Sequence, residues 1–135
     1  MTPQDQEFLH DAETGVQGDC ARAVIACLLG LPIKDVPHFA DQKEIDAYGF
    51  YNHIETFLAC HGKQMLWNVN PIFHRDKLES YHYISGPSPR GKGVHHCVVG
   101  LGEEVFFDPH PSRAGLAGDS EGWAHSFLLD LTEPT

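Results

Sequence analysis

Gly18-Asp19-Cys20-Ala21-Arg22-Ala23-Val24-Ile25-Ala26-Cys27-Leu28-Leu29-Gly30 holds a helix start, an apolar helix body and a helix stop in one continuous run. Asp19 has the short acceptor side chain favoured at an N-cap, and Gly30 tolerates the left-handed conformation that ends a helix. Arg22 is the only charged residue between them, so the spacing predicts a helix buried inside the fold. Ala21, Ala23 and Ala26 permit neighbouring backbone to approach closely. Cys20 falls in the first turn, where unpartnered N–H groups and the positive end of the helix dipole favour thiolate over thiol.

Working outward, Pro32 to Val36 reads as a short second helix ended by Val36-Pro37, and a third helix is expected within Glu44 to Cys60. Ile45, Phe50, Ile54, Phe57 and Leu58 give that third helix an apolar stripe, and His61-Gly62 ends it. Beyond Lys63 the pattern turns strand-like, in Met65 to Val69, Tyr81 to Ile84, Val94 to Val99, Val105 to Phe107 and Ser126 to Leu129. Helices followed by strands predict an α+β fold. Turn-rich segments lie at Gly86 to Gly93 and Pro109 to Gly122.

A chain of 135 residues, 41% hydrophobic and 21% charged, is expected to form a single domain over residues 1–135. No apolar run approaches the ~20 residues of a membrane span. The polar, acidic start Met1-Thr2-Pro3-Gln4-Asp5-Gln6-Glu7 lacks the pattern of a secretory signal, which predicts a cytoplasmic protein with no membrane partner. A formal charge of -10 with nine scattered basic residues argues against nucleic-acid binding, which needs Lys and Arg set against phosphates.

Cys20 and Cys27 lie two helical turns apart, about 10.5 Å of rise, too far for a disulfide. Cys27, Cys60 and Cys97 read as small buried apolar residues of a reducing compartment. One competing chemistry is a zinc site built from His95, Cys97 and His110, with or without Asp108, since His95 and Cys97 share a strand face. The chain has no Cys-x-x-Cys or His-Glu-x-x-His spacing to support that alternative.

A nucleophilic thiol needs a base, and the base needs an orienting group. His95-His96-Cys97-Val98-Val99-Gly100 and Glu104-Val105-Phe106-Phe107-Asp108 form a hairpin candidate around a Gly-containing turn. A three-residue loop, Leu101-Gly102-Glu103, would set His96 opposite Asp108. A two-residue loop at Leu101-Gly102 would set His95 there, and one at Gly102-Glu103 would set Cys97 there. Turn chemistry leaves these three registers open.

The order Cys, then His on a strand, then Asp on the next resembles the papain-like cysteine peptidase superfamily, including its compact bacterial double-glycine leader peptidases. Gly18-Asp19-Cys20, Ala26-Cys27-Leu28-Leu29-Gly30-Leu31-Pro32, Val36-Pro37-His38-Phe39, Ser88-Pro89-Arg90-Gly91, His96-Cys97-Val98-Val99-Gly100 and Asp108-Pro109-His110-Pro111-Ser112 are similar to small papain-like proteins of bacteria and their phages. The resemblance implies a papain-like α+β fold, with a central nucleophile-bearing helix packed on an antiparallel sheet. It further implies Cys20 as nucleophile, His96 as base and Asp108 as its orienter, and it favours His96 over His95. Where such enzymes carry an oxyanion-hole glutamine about six residues before the cysteine, this chain has Thr14, and Gln17 is the nearest upstream candidate.

Together these readings predict a thiol hydrolase (a cysteine peptidase, isopeptidase or amidase) working through an acyl-thioester without a cofactor or metal. Its partner would be a peptide or other acyl or amide substrate, including a protein. Ser88, Arg90 and His95 are candidates for the substrate cleft, and Arg90 or Lys92 would meet an acidic substrate group. The alternatives are an inactive papain-like binding module and the zinc protein.

Overall fold

Helix α1 spans Cys20–Leu29 in a computed structural model, which describes residues 1–40 and 46–131. Its apolar body is buried on nearly every side, from Ala21 and Ala23 through Cys27. Gly30 ends it at φ 69°, its N–H donating to the Cys27 carbonyl while Leu31 N–H reaches Ala26. That pair of bonds satisfies carbonyls that the helix end would otherwise leave bare.

Asp19 occupies the N-cap position but does not cap α1. Its backbone (φ -113°, ψ 36°) lies outside the extended region usual for a cap. Its buried carboxylate accepts instead from Phe8 N–H at 2.9 Å and Glu7 N–H at 3.2 Å, and pairs with Arg22 at 3.3 Å. The predicted capping residue is therefore a strap that fastens the N-terminal segment beside the start of α1.

Helix α2, Ala47–Cys60, is capped by Asp46, whose side chain accepts from Gly49 N–H at 2.8 Å. Ile54 and Leu58 are fully buried, with Phe50 and Phe57 packed at the core's margin. Glu44 and Ile45 lie outside the described residues. The short helix expected at Pro32 to Val36 is a single 3-10 turn, Ile33–Asp35. Helix α3, Arg75–Leu78, and the 3-10 turns Pro71–Phe73 and Ser120–Gly122 are too short to show an apolar period in the sequence.

Five strands form one antiparallel sheet: β1 Lys63–Val69, β2 His82–Pro87, β3 His95–Leu101, β4 Glu104–Phe107 and β5 Ala124–Asp130. Their order is β1-β5-β2-β3-β4, so the last strand is inserted between the first two. The architecture is thus α+β, with α1 and α2 against the sheet around a core that includes Val24, Ile25, Ile54, Tyr83 and Val99. Each predicted strand is present, and α1 packs chiefly on β3. No described helix is long and apolar enough to cross a membrane.

The β3–β4 hairpin decides what faces α1's first turn. Leu101 pairs with Glu104 and Gly100 with Val105, so the loop is Gly102-Glu103, with Gly102 supplying the positive φ of 66° that a tight turn requires. In an unbroken ladder Asp108 would then oppose Cys97 and share its face. A one-residue shift intervenes, because Val99 pairs with Phe107. Extending the shifted register sets Asp108 across from Val98, on the same face as His96. The structure thus corrects the simple registers: the irregularity, not a three-residue loop, brings Asp108 to the His96 side.

Elsewhere on the sheet, His82 of β2 and His125 of β5 are buried diagonal neighbours, Nε2 to Nδ1 at 2.9 Å, and His82 Nδ1 lies 3.0 Å from the Ser80 carbonyl. Gly100, opposite His82, must lack a side chain. A Cβ there would come within 2.2 Å of Ile84 Cδ1 and 3.1 Å of His82 Nε2.

Candidate active site

Three elements converge at the start of α1. Cys20 is the helix's first residue, His96 comes from β3, and Asp108 follows β4 directly. His96 Nε2 lies 2.7 Å from Asp108 Oδ1, both side chains being nearly inaccessible. This leaves Nδ1 as the ring nitrogen free for Cys20, which borders the same cavities as His96 and whose pKa His96 lowers. The structure therefore brings Cys20, His96 and Asp108 together.

Asp108 is held from several sides. Its carboxylate also accepts from His110 N–H at 2.9 Å and Gly115 N–H at 2.7 Å, while Arg113 donates to the Asp108 and His110 carbonyls. Arg113 further pairs with Asp5 and lies over the Phe107 ring. The 108–115 loop is thus wound around the carboxylate and fixes its direction. Burial alone would raise this carboxyl's pKa, but the His96 bond and the two N–H donors outweigh it and hold it below the usual range.

Burial likewise works against a charge on His96. The Asp108 hydrogen bond, together with the bond to Cys20 and the charges of both groups, overcomes it and pushes the imidazole up to about 9. Cys20 moves the other way, well below the ordinary thiol. The leading cause is the Cys97 thiol, whose Sγ is a hydrogen-bond donor 3.1 Å from Cys20 Sγ; it acts against desolvation, and His96 adds a hydrogen bond and a positive charge. Cys97 is correspondingly raised, by burial first and then by Cys20. The two shifts run in opposite directions, each favouring the charged form, a thiolate beside an imidazolium.

Two cavities meet at this pair. One, of about 450 Å³, is walled by Phe50, Tyr51, Tyr83, Asn68 and His38. The other, of about 540 Å³, is walled by Gln6, His10, Gln17, Ser88, Arg90 and His110. Cys20, His95 and His96 border both, so the thiol sits where a continuous cleft changes character.

The remaining candidates fall around that cleft. His95 is exposed on its rim, whereas His96 is buried at the thiol. Ser88 is buried and its Oγ accepts from Arg90 N–H, while Arg90 reaches Ser112 Oγ at 3.1 Å, tying the two turn-rich loops together. Lys92 is exposed and does not line either cavity. Gln17 borders the second cavity and its backbone carbonyl contacts His38 Nε2. His95, Cys97 and His110 do not assemble as zinc ligands: among the described residues no group of three or more His, Cys, Asp or Glu side chains could hold a metal ion. Cys97 points instead at Cys20, and Cys60, expected to be buried, is exposed.

Two residues carried no sequence signal for a place beside Cys20. Cys97 looks like a small core residue until α1 packs on β3. Gln6 is far from Cys20 in the chain, yet it lines the same cavity and its amide Nε2 borders Gly18 while donating to the Phe8 carbonyl. Its Oε1 is buried without a hydrogen-bond partner among the described residues. No protein-family profile, curated protein or solved structure matches the chain.

Proposed function

We propose that the protein is a papain-like thiol hydrolase acting on an amide or related acyl bond through Cys20, His96 and Asp108. The observation that carries this reading is His96, shared between a buried carboxylate 2.7 Å away and a thiol at a helix start. The Cys20 thiolate would attack the acyl carbon, and the His96 imidazolium would give its proton to the leaving amine as the acyl-thioester forms. Neutral His96 would then take a proton from water, whose oxygen attacks the thioester, and collapse of the tetrahedral intermediate breaks the C–S bond, releasing the carboxylic acid and leaving the Cys20 thiolate beside the imidazolium. Asp108 keeps Nε2 engaged so that Nδ1 faces the sulfur throughout.

The tetrahedral oxyanion would be met by backbone N–H at the start of α1, which no side chain caps among the described residues. Asp19 favours this by pointing elsewhere. A side-chain amide would complete the hole, with Gln17 and Gln6 both bordering the cavity beside Cys20.

The cleft supports a substrate with an apolar or aromatic group on one side of the scissile bond and a polar or acidic group on the other. In a chain of net charge -10, the second cavity presents Arg90 and several histidines, with no Asp or Glu among the described residues that line it. The four free thiols accord with work in the reducing cytoplasm.

The test is acyl-enzyme trapping. An activated ester such as p-nitrophenyl acetate should give a burst of nitrophenol and an acetyl mass on Cys20 alone, both lost in Cys20→Ala. Acetylation spread over other residues, or a burst that survives that substitution, would overturn the reading.

A further inference from the structure

We propose that Cys97 is the resolving thiol of a peroxide-sensitive switch, converting oxidised Cys20 into a reversible Cys20–Cys97 disulfide that closes the site. The proposal rests on Cys20 being the nucleophile of the hydrolase described above, and it gives that site a mode of regulation.

The geometry is that of a disulfide not yet made. The two sulfurs are 3.1 Å apart, joining the first residue of α1 to the middle of β3 across the main helix–sheet contact. A disulfide needs about 2.05 Å, so the pair must close by roughly 1 Å, within reach of small side-chain rotations. Neither of the other thiols competes. Cys27 lies on the next turns of α1 and accepts Gln4 N–H at 3.2 Å, and Cys60 is exposed at the end of α2.

The two sulfurs are also unlike in a way that assigns their order. Cys20 borders both cavities, where a small hydroperoxide can reach it, while Cys97 is only 3% exposed and borders just the first. The Cys20 thiolate would therefore attack the peroxide oxygen. The O–O bond breaks, the sulfur loses two electrons to become a sulfenic acid, and the departing alkoxide or hydroxide leaves as alcohol or water with the proton of His96. Cys97 sulfur then attacks Cys20 sulfur, the S–S bond forms, the S–O bond breaks, and the leaving hydroxide takes the Cys97 proton as water. The sum is two thiols and one hydroperoxide giving a disulfide, an alcohol or water, and a further water. Capture at the disulfide stops Cys20 short of the sulfinic and sulfonic acids, which are not recovered by thiols.

The test exposes the reduced full chain to hydrogen peroxide and follows intact mass, non-reducing peptide maps and iodoacetamide labelling of Cys20. The wild type should lose two hydrogens, yield a Cys20–Cys97 linked peptide, stop reacting with iodoacetamide and recover fully with dithiothreitol. Cys97→Ala and Cys97→Ser, checked for folding by circular dichroism, should instead add two or three oxygens at Cys20 and stay unreactive after reduction. Over-oxidised Cys20 beside a free Cys97 in the wild type, or a link to Cys27 or Cys60, would overturn the switch. Because alkylation of the reduced protein is read separately, the two failures differ. Fast labelling without the disulfide rejects the switch alone, and slow labelling at neutral pH removes the nucleophile on which both readings stand.

Discussion

His96 on β3 and the His82–His125 pair across β2 and β5 are buried imidazoles of one sheet, each within hydrogen-bond distance of another side chain, yet they favour opposite protonation states. Burial pushes His82 and His125 below the ordinary histidine value, and the facing imidazole lowers His82 further. The same burial acts on His96, but there a carboxylate and a thiolate outweigh it and the pKa rises to about 9. The partner, not the depth, decides whether a buried histidine is a neutral packing element or a stored proton. One sheet therefore carries two buried histidine sites whose pKa values are pushed in opposite directions.

The comparison breaks most decisively at His96. His96→Ala should cut acyl transfer by about 10²–10⁴-fold and return the Cys20 thiol toward its ordinary range, read as burst kinetics alongside alkylation. Undiminished turnover would mean that this imidazole is as silent as His82. Asp108→Asn sharpens the same point, since without the carboxylate the His96 pKa should fall from about 9 toward the ordinary value, as seen by NMR titration of its ring protons. Acyl transfer should drop by about an order of magnitude above pH 7. An unchanged titration would show that Asp108 only starts the following turn.

At the other end of the comparison, Gly100→Ala drives a methyl into Ile84 and toward His82, and should cost about 1–3 kcal/mol in urea unfolding. The His96 titration should not move if the two histidine sites are independent. The smallest effect concerns pH. His82 and His125 are depressed in the folded state, so below about 6.5 the unfolded chain binds more protons and stability falls as pH drops. His96 has the opposite sign, its contribution being complete below that value and lost as pH rises through about 9. Because His96 contributes equally to both proteins, the urea midpoint of His125→Gln should gain on that of the wild type as pH falls from 7.5 to 5.5; equal slopes would remove the buried pair from the account.

What was legible in the sequence was local. The α1 helix, its Gly30 stop and all five strands follow from apolar pattern and turn residues, signals that tertiary packing reinforced. Cys20, His96 and Asp108 were legible as types in order. The irregularity that gives Asp108 its side of the sheet was not, because it arises within the β4 pairing instead of in the Gly102-Glu103 turn. Asp19 carried an ordinary cap signal, and only the returning N-terminal segment shows that its carboxylate is engaged elsewhere. Cys97 and Gln6 reach Cys20 through contacts that no spacing along the chain encodes.

The central claim, a thiolate–imidazolium pair at neutral pH, is tested most directly by the pH dependence of Cys20 alkylation with iodoacetamide in the wild type and in His96→Ala. The account predicts a wild-type profile rising well below the ordinary thiol value of about 8.5, changing again near 9 as His96 loses its proton, and moving upward in the variant. A single midpoint near that ordinary value, the same in both proteins, would contradict it.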